Sequence, residues 1–130
     1  MYAFVYGTLK KHYLGNLYLE DGTFIGKGTT YDRFHMYESV FPMIEEDNSL
    51  DNSLDDAFPI LGEIYKIDAD ILSVLDEYES YPQLYSRKVV MVSCDDGGDY
   101  DCLIYIPNKI PDDLKHELYR SEPINGCYQW

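Results

Sequence analysis

The sequence has 130 residues, 45% of them hydrophobic, and a formal net charge of −14 at pH 7. This length and composition predict one folded domain over residues 1–130, because the chain is long enough to bury most of its apolar surface. The charge argues against nucleic acids and anionic membranes as partners, since both are bound through clusters of Lys and Arg. Neutral or cationic small molecules are the ligands that it favours.

Several features of the sequence indicate a cytoplasmic protein. No apolar run is long enough to span a bilayer, and the N-terminus lacks the basic region and cleavage site of a signal peptide. Cys94, Cys102 and Cys127 are an odd number of cysteines without metal-ligand spacing, so we expect reduced, structural thiols. His12 has no second ligand at metal spacing, and we expect no bound metal.

The first predicted element is a strand that ends in a glycine turn. Residues 2–6 are β-prone and uncharged, which predicts a strand buried on both faces. Gly7 permits backbone angles that other residues avoid, and the turn continues through Thr8. The backbone N–H groups of such a turn have no acceptor in the sheet. They therefore either meet water or form a small anion-binding nest.

The next part of the chain predicts a curved sheet. Residues 11–20 carry enough leucine and tyrosine for a short helix or an irregular loop. Residues 22–31 read as a strand interrupted by glycines, which usually mark bulges or corners in a small curved sheet or barrel. Residues 31–37 continue in extended form, and residues 41–44 complete a hairpin.

Residues 45–56 are the one break in composition. They contain six acidic residues and a tandem Asp-Asn-Ser-Leu repeat at 47–50 and 51–54. An EF-hand calcium loop requires Gly at its sixth position and a closing Glu, and both are missing here. We therefore predict a solvated, mobile acidic loop at 47–56.

A strand at 62–67 and a helix at 69–79 are predicted next, with Asp68 as the N-cap of the helix. At 100° per residue, this helix has an apolar stripe on one side. The members of the stripe are Ile71, Leu72, Val74, Leu75 and Tyr78. Asp76 falls on the opposite, polar side, whereas Glu79 falls within the stripe. Glu79 is therefore an acidic side chain directed towards the predicted core.

A carboxylate on the buried side of a helix is costly unless it is paired, hydrogen-bonded or protonated. Partial burial and the negative end of the helix dipole would both raise the pKa of Glu79. A carboxyl group of this kind can act as a general base or acid near neutral pH. Two structural alternatives stay open: the last turn frays and Glu79 turns to water, or Glu79 pairs with Arg87.

The last third of the chain predicts a β-hairpin, a short helix and a tail, and Pro82 separates it from the preceding helix. The predicted elements are strands at 88–94 and 100–106, a turn at 95–99, a helix at 111–119 and a tail at 120–130. The aromatic residues of the tail are suited to fold back on the body or to cover a pocket.

Three motifs together carry a resemblance to a known family. They are Phe-Val-Tyr-Gly-Thr-Leu-Lys at 4–10, Gly-Glu-Ile-Tyr at 62–65 and Leu-Asp-x-Tyr-Glu-x-x-Pro-x-Leu-Tyr-x-Arg at 75–87. In this order and at these separations they resemble the γ-glutamylcyclotransferase superfamily. The sequence is most similar to its AIG2-like branch, the γ-glutamylamine cyclotransferases. The resemblance extends from residue 1 to about residue 107, and the acidic loop departs from it.

The resemblance implies a fold, a reaction and a site. The implied fold is α+β, a small mixed β-barrel with a few packed helices. In the family the turn at Tyr6, Gly7, Thr8 and Leu9 binds the γ-glutamyl group, and the Glu at position 79 is the catalytic acid and base. The reaction closes a γ-glutamylamine to 5-oxoproline, releases the amine and requires neither a metal nor another cofactor.

Other interpretations stay open from the sequence alone. The substrate class extends to γ-glutamyl amino acids and glutathione-type molecules, and the same fold also suits a non-catalytic module that binds a small ligand. A partner-binding role for the acidic loop is a third interpretation. Arg87 and Tyr105 either line the site or serve in an ion pair and in core packing. We expect a monomer or a weak dimer.

Overall fold

The structure is a computed structural model of the chain, described for residues 1–38, 41–46, 57–110, 119–120 and 123–130. The described residues form eight strands, one 3-10 helix and one α-helix. The strands are β1 Tyr2–Val5, β2 Thr23–Thr30, β3 Phe34–Glu38, β4 Pro42–Glu46, β5 Leu61–Lys66, β6 Tyr85–Cys94, β7 Asp99–Pro107 and β8 Tyr119–Arg120. The 3-10 helix is Leu14–Leu19 and the α-helix, α1, is Ala69–Tyr78.

Five of the strands close into a barrel in the order β1-β5-β2-β6-β7. All neighbours are antiparallel except β1 and β7, which meet in parallel at Ala3 and Leu103 and close the barrel. A second sheet has the order β4-β3-β8. The prediction of an α+β fold with a small mixed barrel and packed helices is confirmed.

Strand β1 is buried on both of its faces, as predicted. Phe4 belongs to one hydrophobic cluster, which joins barrel strands to the second sheet and to Tyr128. Ala3 and Val5 belong to a second cluster, which includes Leu75 of α1. Because alternate residues of a strand point to opposite faces, β1 contributes to both clusters, as β5 and β7 also do. The loop that follows β1 therefore starts from a fixed point.

Glycines allow the barrel strands to come close together. Gly28 of β2 lies opposite Gly62 of β5, and the register shifts between Phe24 and Gly26, which confirms the predicted irregularity of this strand. A Cβ atom at Gly62 would lie 2.5 Å from the carbonyl oxygen of Val5. This space is therefore available only to a residue without a side chain.

The buried face of helix α1 differs from the apolar face that the helical wheel predicts. Ile71 and Leu75 are buried, whereas Val74 and Tyr78 are exposed. The buried face is thus rotated away from Val74 and towards Glu79. The prediction that Val74 and Tyr78 face the core was wrong because the barrel covers only one edge of the apolar stripe.

The end of the chain packs on the body, as predicted for the tail. The Tyr128 side chain is 1% exposed, its N–H donates to the Pro59 carbonyl, and its own carbonyl accepts from Leu61 N–H. Strand β6 begins at Tyr85, earlier than predicted. The acidic loop at 47–56 and residues 111–118 of the predicted helix lie outside the described residues.

In the described parts of the chain, no helix combines the length and the apolar character that crossing a bilayer requires.

We expect Gly62→Ala to destabilise the barrel by about 1–3 kcal/mol, because the new methyl group would collide with backbone as well as with the Phe4 ring. Chemical denaturation measures this change. Gly98→Ala in the β6–β7 turn is the matched control, since its nearest neighbour is the tip of the Asp96 side chain at 3.2 Å. Equal losses in the two variants would contradict the role of Gly62 in close strand packing.

Candidate active site

The end of α1 holds Glu79 in a defined position. Glu79 is the C-cap, and its N–H donates to the Leu75 carbonyl at 2.9 Å. Ser80 has a left-handed backbone with φ of 54° and donates to the Glu77 carbonyl, while Tyr81 N–H donates to the Asp76 carbonyl at 2.8 Å. These two bonds are those of a Schellman motif, which fixes the last turn of a helix. The alternative in which this turn frays is therefore excluded.

The Glu79 side chain faces a cavity of about 280 Å³. Apolar and aromatic residues dominate its lining, and none of the described lining residues is basic. The lining residues are Phe4, Val5, Tyr6, Gly7, Thr8, Leu9, Phe41, Pro42, Tyr78, Glu79, Ser80, Leu84, Tyr85 and Tyr105. The structure thus brings the predicted substrate turn, residues 6–9, and the predicted acid and base to one cavity.

Burial raises the pKa of the Glu79 carboxyl from 4.5 to about 7. The cause is desolvation, because the charged form loses water in this cavity and no other contribution accompanies it. A group with this pKa is divided between its acid and base forms at neutral pH. It can therefore accept a proton and return it within one reaction cycle.

Three tyrosines surround the carboxyl group and remain protonated. Burial, and after it the charge of Glu79, raises the pKa of Tyr85 to about 12. Burial also holds the pKa of Tyr6 and of Tyr105 well above the usual range, and the Glu79 charge contributes to both shifts. The Tyr6 hydroxyl donates to the Tyr105 carbonyl at 2.8 Å. These neutral phenols add polarity to the cavity without adding charge.

The turn after β1 presents free amides beside this cavity. Lys10 N–H donates to the Gly7 carbonyl at 3.0 Å and closes the turn. In the part of the chain that the structure describes, the N–H groups of Gly7, Thr8 and Leu9 have no acceptor. Adjacent outward amides of this kind suit a carboxylate or a developing oxyanion.

Neighbouring residues fit closely around the turn. The Thr8 hydroxyl is hydrogen-bonded to the Tyr78 hydroxyl at 2.7 Å, which links the turn to α1. A Cβ atom at Gly7 would lie 3.0 Å from the Pro42 ring. A Cβ atom at Gly15 would lie 2.6 Å from the Thr8 carbonyl oxygen. Two glycines therefore allow the turn to pack between β4 and the 3-10 helix.

Asp76 is a site-supporting residue that the helical wheel assigned to the polar side. Its carboxylate accepts from the Tyr105 hydroxyl at 2.6 Å and from the Arg87 guanidinium at 2.9 and 3.1 Å. Arg87 and Tyr105 are partners across β6 and β7. Asp76 thus ties the last turn of α1 to both strands, one turn before Glu79.

This network settles the two residues that the sequence left open. Arg87 pairs with Asp76 and not with Glu79, and it does not line the cavity. Tyr105 does line the cavity and also bonds Asp76. The signal for Asp76 was present in the Leu-Asp-x-Tyr-Glu motif. Its partners depend on strand register, which the helical wheel does not contain.

Residues 3–125 match the family described as gamma-glutamyl cyclotransferase, AIG2-like. The chain therefore belongs to the γ-glutamylcyclotransferase family, AIG2-like, and is a cyclotransferase enzyme.

Individual relatives agree with this assignment. A protein of Methanocaldococcus jannaschii, provisionally named a γ-glutamylcyclotransferase, is 33% identical over 105 residues, covering 80% of this chain and 82% of its own. The γ-glutamylaminecyclotransferase of Bos taurus is 30% identical over 124 residues, covering 92% and 73%. The crystal structure of an AIG2-like protein from Mus musculus aligns with a TM-score of 0.72 and 26% identity, over 98% of this chain and 93% of that one.

We expect Glu79→Gln to stabilise the fold at alkaline pH. The folded pKa is raised from 4.5 to about 7, so ionisation of Glu79 removes stability as the pH rises through this interval. The loss amounts to about 3 kcal/mol at pH 8 and is nearly absent at pH 4.5. Denaturant unfolding of both proteins across this range measures the difference. The exposed Glu77→Gln is the control, and a parallel pH dependence in all three proteins would contradict the burial of Glu79.

Proposed function

We propose that the protein is a γ-glutamylamine cyclotransferase, which converts a γ-glutamylamine into 5-oxoproline and a free amine. One observation carries the proposal: the desolvated carboxyl of Glu79, with a pKa of about 7, shares a cavity with the free amides of Gly7, Thr8 and Leu9. A proton acceptor and an anion-binding turn are the two parts that this reaction requires. The remaining reactant, the nucleophile, belongs to the substrate.

The substrate turn is proposed to bind the γ-glutamyl group. Its amides would donate to the α-carboxylate or to the oxygen of the δ-carbonyl, where negative charge develops during attack. Tyr6, in this turn, and Tyr105 form a buried part of the cavity wall. A folded substrate held against this wall brings its α-nitrogen close to its own δ-carbon, and such orientation supplies a large part of the rate acceleration.

Glu79 is proposed to move the protons. The substrate arrives with an α-ammonium, which cannot attack, and the Glu79 carboxylate removes a proton from it. The amine then attacks the δ-carbon and forms the lactam C–N bond. As the tetrahedral intermediate collapses, the original amide C–N bond breaks and Glu79 returns a proton to the departing nitrogen. The regenerated Glu79 carboxylate takes the second proton from the ring nitrogen and passes it to the released amine. The ring nitrogen thus keeps one of the three ammonium protons, and the amine leaves as an ammonium ion with the other two.

Three observations support an amine without a nearby carboxylate as the leaving group. None of the described residues lining the cavity is basic, so the carboxylates of a glutathione-type leaving group would find no cation there. The net charge of −14 favours neutral or cationic molecules over anions. The bovine relative is named for γ-glutamylamines.

The direct test measures 5-oxoproline release from γ-glutamyl-ε-lysine, γ-glutamyl-alanine and glutathione. We expect γ-glutamyl-ε-lysine to be turned over with the highest kcat/KM. Preference for either of the other two substrates would replace the proposed leaving group and keep the reaction. Absence of turnover with all three would refute the proposed activity on these substrates. A ligand-binding module would then be the remaining interpretation, and titration with 5-oxoproline would test it.

Glu79→Gln is expected to lower kcat by about 10²–10⁴-fold, because Gln preserves the size and polarity of the side chain but cannot carry a proton. The steady-state assay with the preferred substrate measures this loss. Glu77→Gln removes a carboxylate from the exposed side of the same helix and should retain wild-type kcat. Substantial activity in Glu79→Gln would contradict the proposed proton transfer.

The pH dependence of kcat/KM follows from the same carboxyl group. The base form of Glu79 is required, so kcat/KM should fall as the pH drops through about 7. We expect a slope of about one proton below this midpoint. Initial rates between about pH 3.5 and 8.5 check the prediction. An acidic midpoint near 4.5, the usual value for this side chain, would show that Glu79 is hydrated in the working enzyme.

A further inference from the structure

The Gly-Glu-Ile-Tyr motif at 62–65 contains a buried acid that does not line the cavity. Glu63 is 9% exposed and belongs to β5, where it lies opposite Val5 of β1. Its Oε1 atom accepts from Lys11 N–H at 2.8 Å and from the Tyr65 hydroxyl at 3.1 Å. Lys11 is the second residue after the substrate turn. The carboxylate of Glu63 therefore holds the far end of the loop whose near end is β1.

A second connection reaches the turn itself. The Asn16 amide donates both to the Leu9 carbonyl at 2.8 Å and to the Tyr65 hydroxyl at 3.0 Å. Because the Tyr65 hydroxyl in turn donates to Glu63, one chain of hydrogen bonds runs from β5 to the turn. This series of hydrogen bonds ends at the Leu9 carbonyl and does not involve the Leu9 N–H group.

We propose that Glu63, through Tyr65 and Asn16, is a positioning residue that fixes the substrate turn for binding. The proposal rests on the proposed function, because it assumes that the amides of Gly7, Thr8 and Leu9 meet the γ-glutamyl group. It assigns to the middle motif of the sequence a role in substrate affinity and none in proton transfer.

The physical reason is the cost of ordering a loop at the moment of binding. Three adjacent amides bind one anionic group only if their N–H vectors converge before the ligand arrives. In this protein the carbonyls on either side of these amides are occupied, that of Gly7 by Lys10 and that of Leu9 by Asn16. Glu63 is the acceptor from which this arrangement starts, on a strand that the barrel keeps rigid.

The test compares Glu63→Leu and Glu63→Gln with the wild type. Leu removes both hydrogen bonds, so we expect KM for γ-glutamyl-ε-lysine to rise about tenfold while kcat changes less than about threefold, the pattern of lost binding. Gln keeps an acceptor oxygen at the same place and should restore KM to within about threefold of wild type. The acidic midpoint of kcat/KM should remain near 7 in both variants.

Thr30→Val is the matched control for a purely structural effect. Thr30 is 2% exposed, and its hydroxyl accepts from Ile60 N–H and donates to the Asp32 carbonyl, on another part of the barrel. Val removes both bonds at nearly constant volume. A rise in KM of equal size in Thr30→Val and Glu63→Leu would overturn the proposal. So would an unchanged KM in a folded Glu63→Leu.

Amide hydrogen exchange separates this proposal from the proposed function. We expect exchange at Lys10, whose N–H closes the turn on the Gly7 carbonyl, to accelerate at least about tenfold in Glu63→Leu relative to Thr30→Val, measured without substrate. This readout holds even if no γ-glutamyl compound is turned over, in which case the proposed function fails alone. If wild type is active but exchange at Lys10 is the same in both variants, the positioning role fails alone.

Discussion

The candidate site depends on the burial of one carboxyl group, that of Glu79. Glu79 gives up water at the end of α1, and in the described structure desolvation alone accounts for its raised pKa. The Schellman motif fixes the backbone of the last helical turn, and this holds the Glu79 side chain in the cavity despite the cost of its burial. The network of Asp76, Arg87 and Tyr105 holds the same turn against the barrel. Burial of Glu79 therefore destabilises the fold, whereas the hydrogen bonds of Asp76 to Arg87 and Tyr105 stabilise the same helical turn.

The cavity depends on the closure of the barrel. Its two reactive parts come from distant positions in the sequence, the loop after β1 and the end of α1. Strand β1 brings them together because one of its faces packs on Leu75 of α1 and the other packs on the opposite cluster. Strand β1, which leads into the turn, is therefore packed on both faces, and this packing fixes where the turn begins.

The local geometry of the candidate site follows from short stretches of sequence. The wheel singled out Glu79 because a charged residue broke an apolar pattern, and Gly7 marked the turn because glycine ends a strand in a characteristic way. Both signals are contained in a few neighbouring residues. The barrel also followed from such a signal, the glycines of β2, together with the family resemblance.

Long-range partners could not be predicted in the same way. The sequence offered Arg87 as a partner for Glu79, whereas the register of β6 and β7 places it beside Tyr105, and both residues bond Asp76. Val74 was assigned to the core because a wheel gives the apolar direction of a helix but not the width of the surface that covers it. Asp76 was missed for the same reason, since strand pairing brings together its two partners, Arg87 and Tyr105.

Gly15 shows that a residue which does not line the cavity can still be intolerant of substitution. It does not line the cavity, yet any side chain there would press on the Thr8 carbonyl and on the Tyr78 hydroxyl, which belong to two walls of the cavity. In a survey of all single substitutions, this position would rank with catalytic residues. A map of lost activity would therefore outline a larger region than the surface that touches the substrate, and the difference would trace the packing behind it.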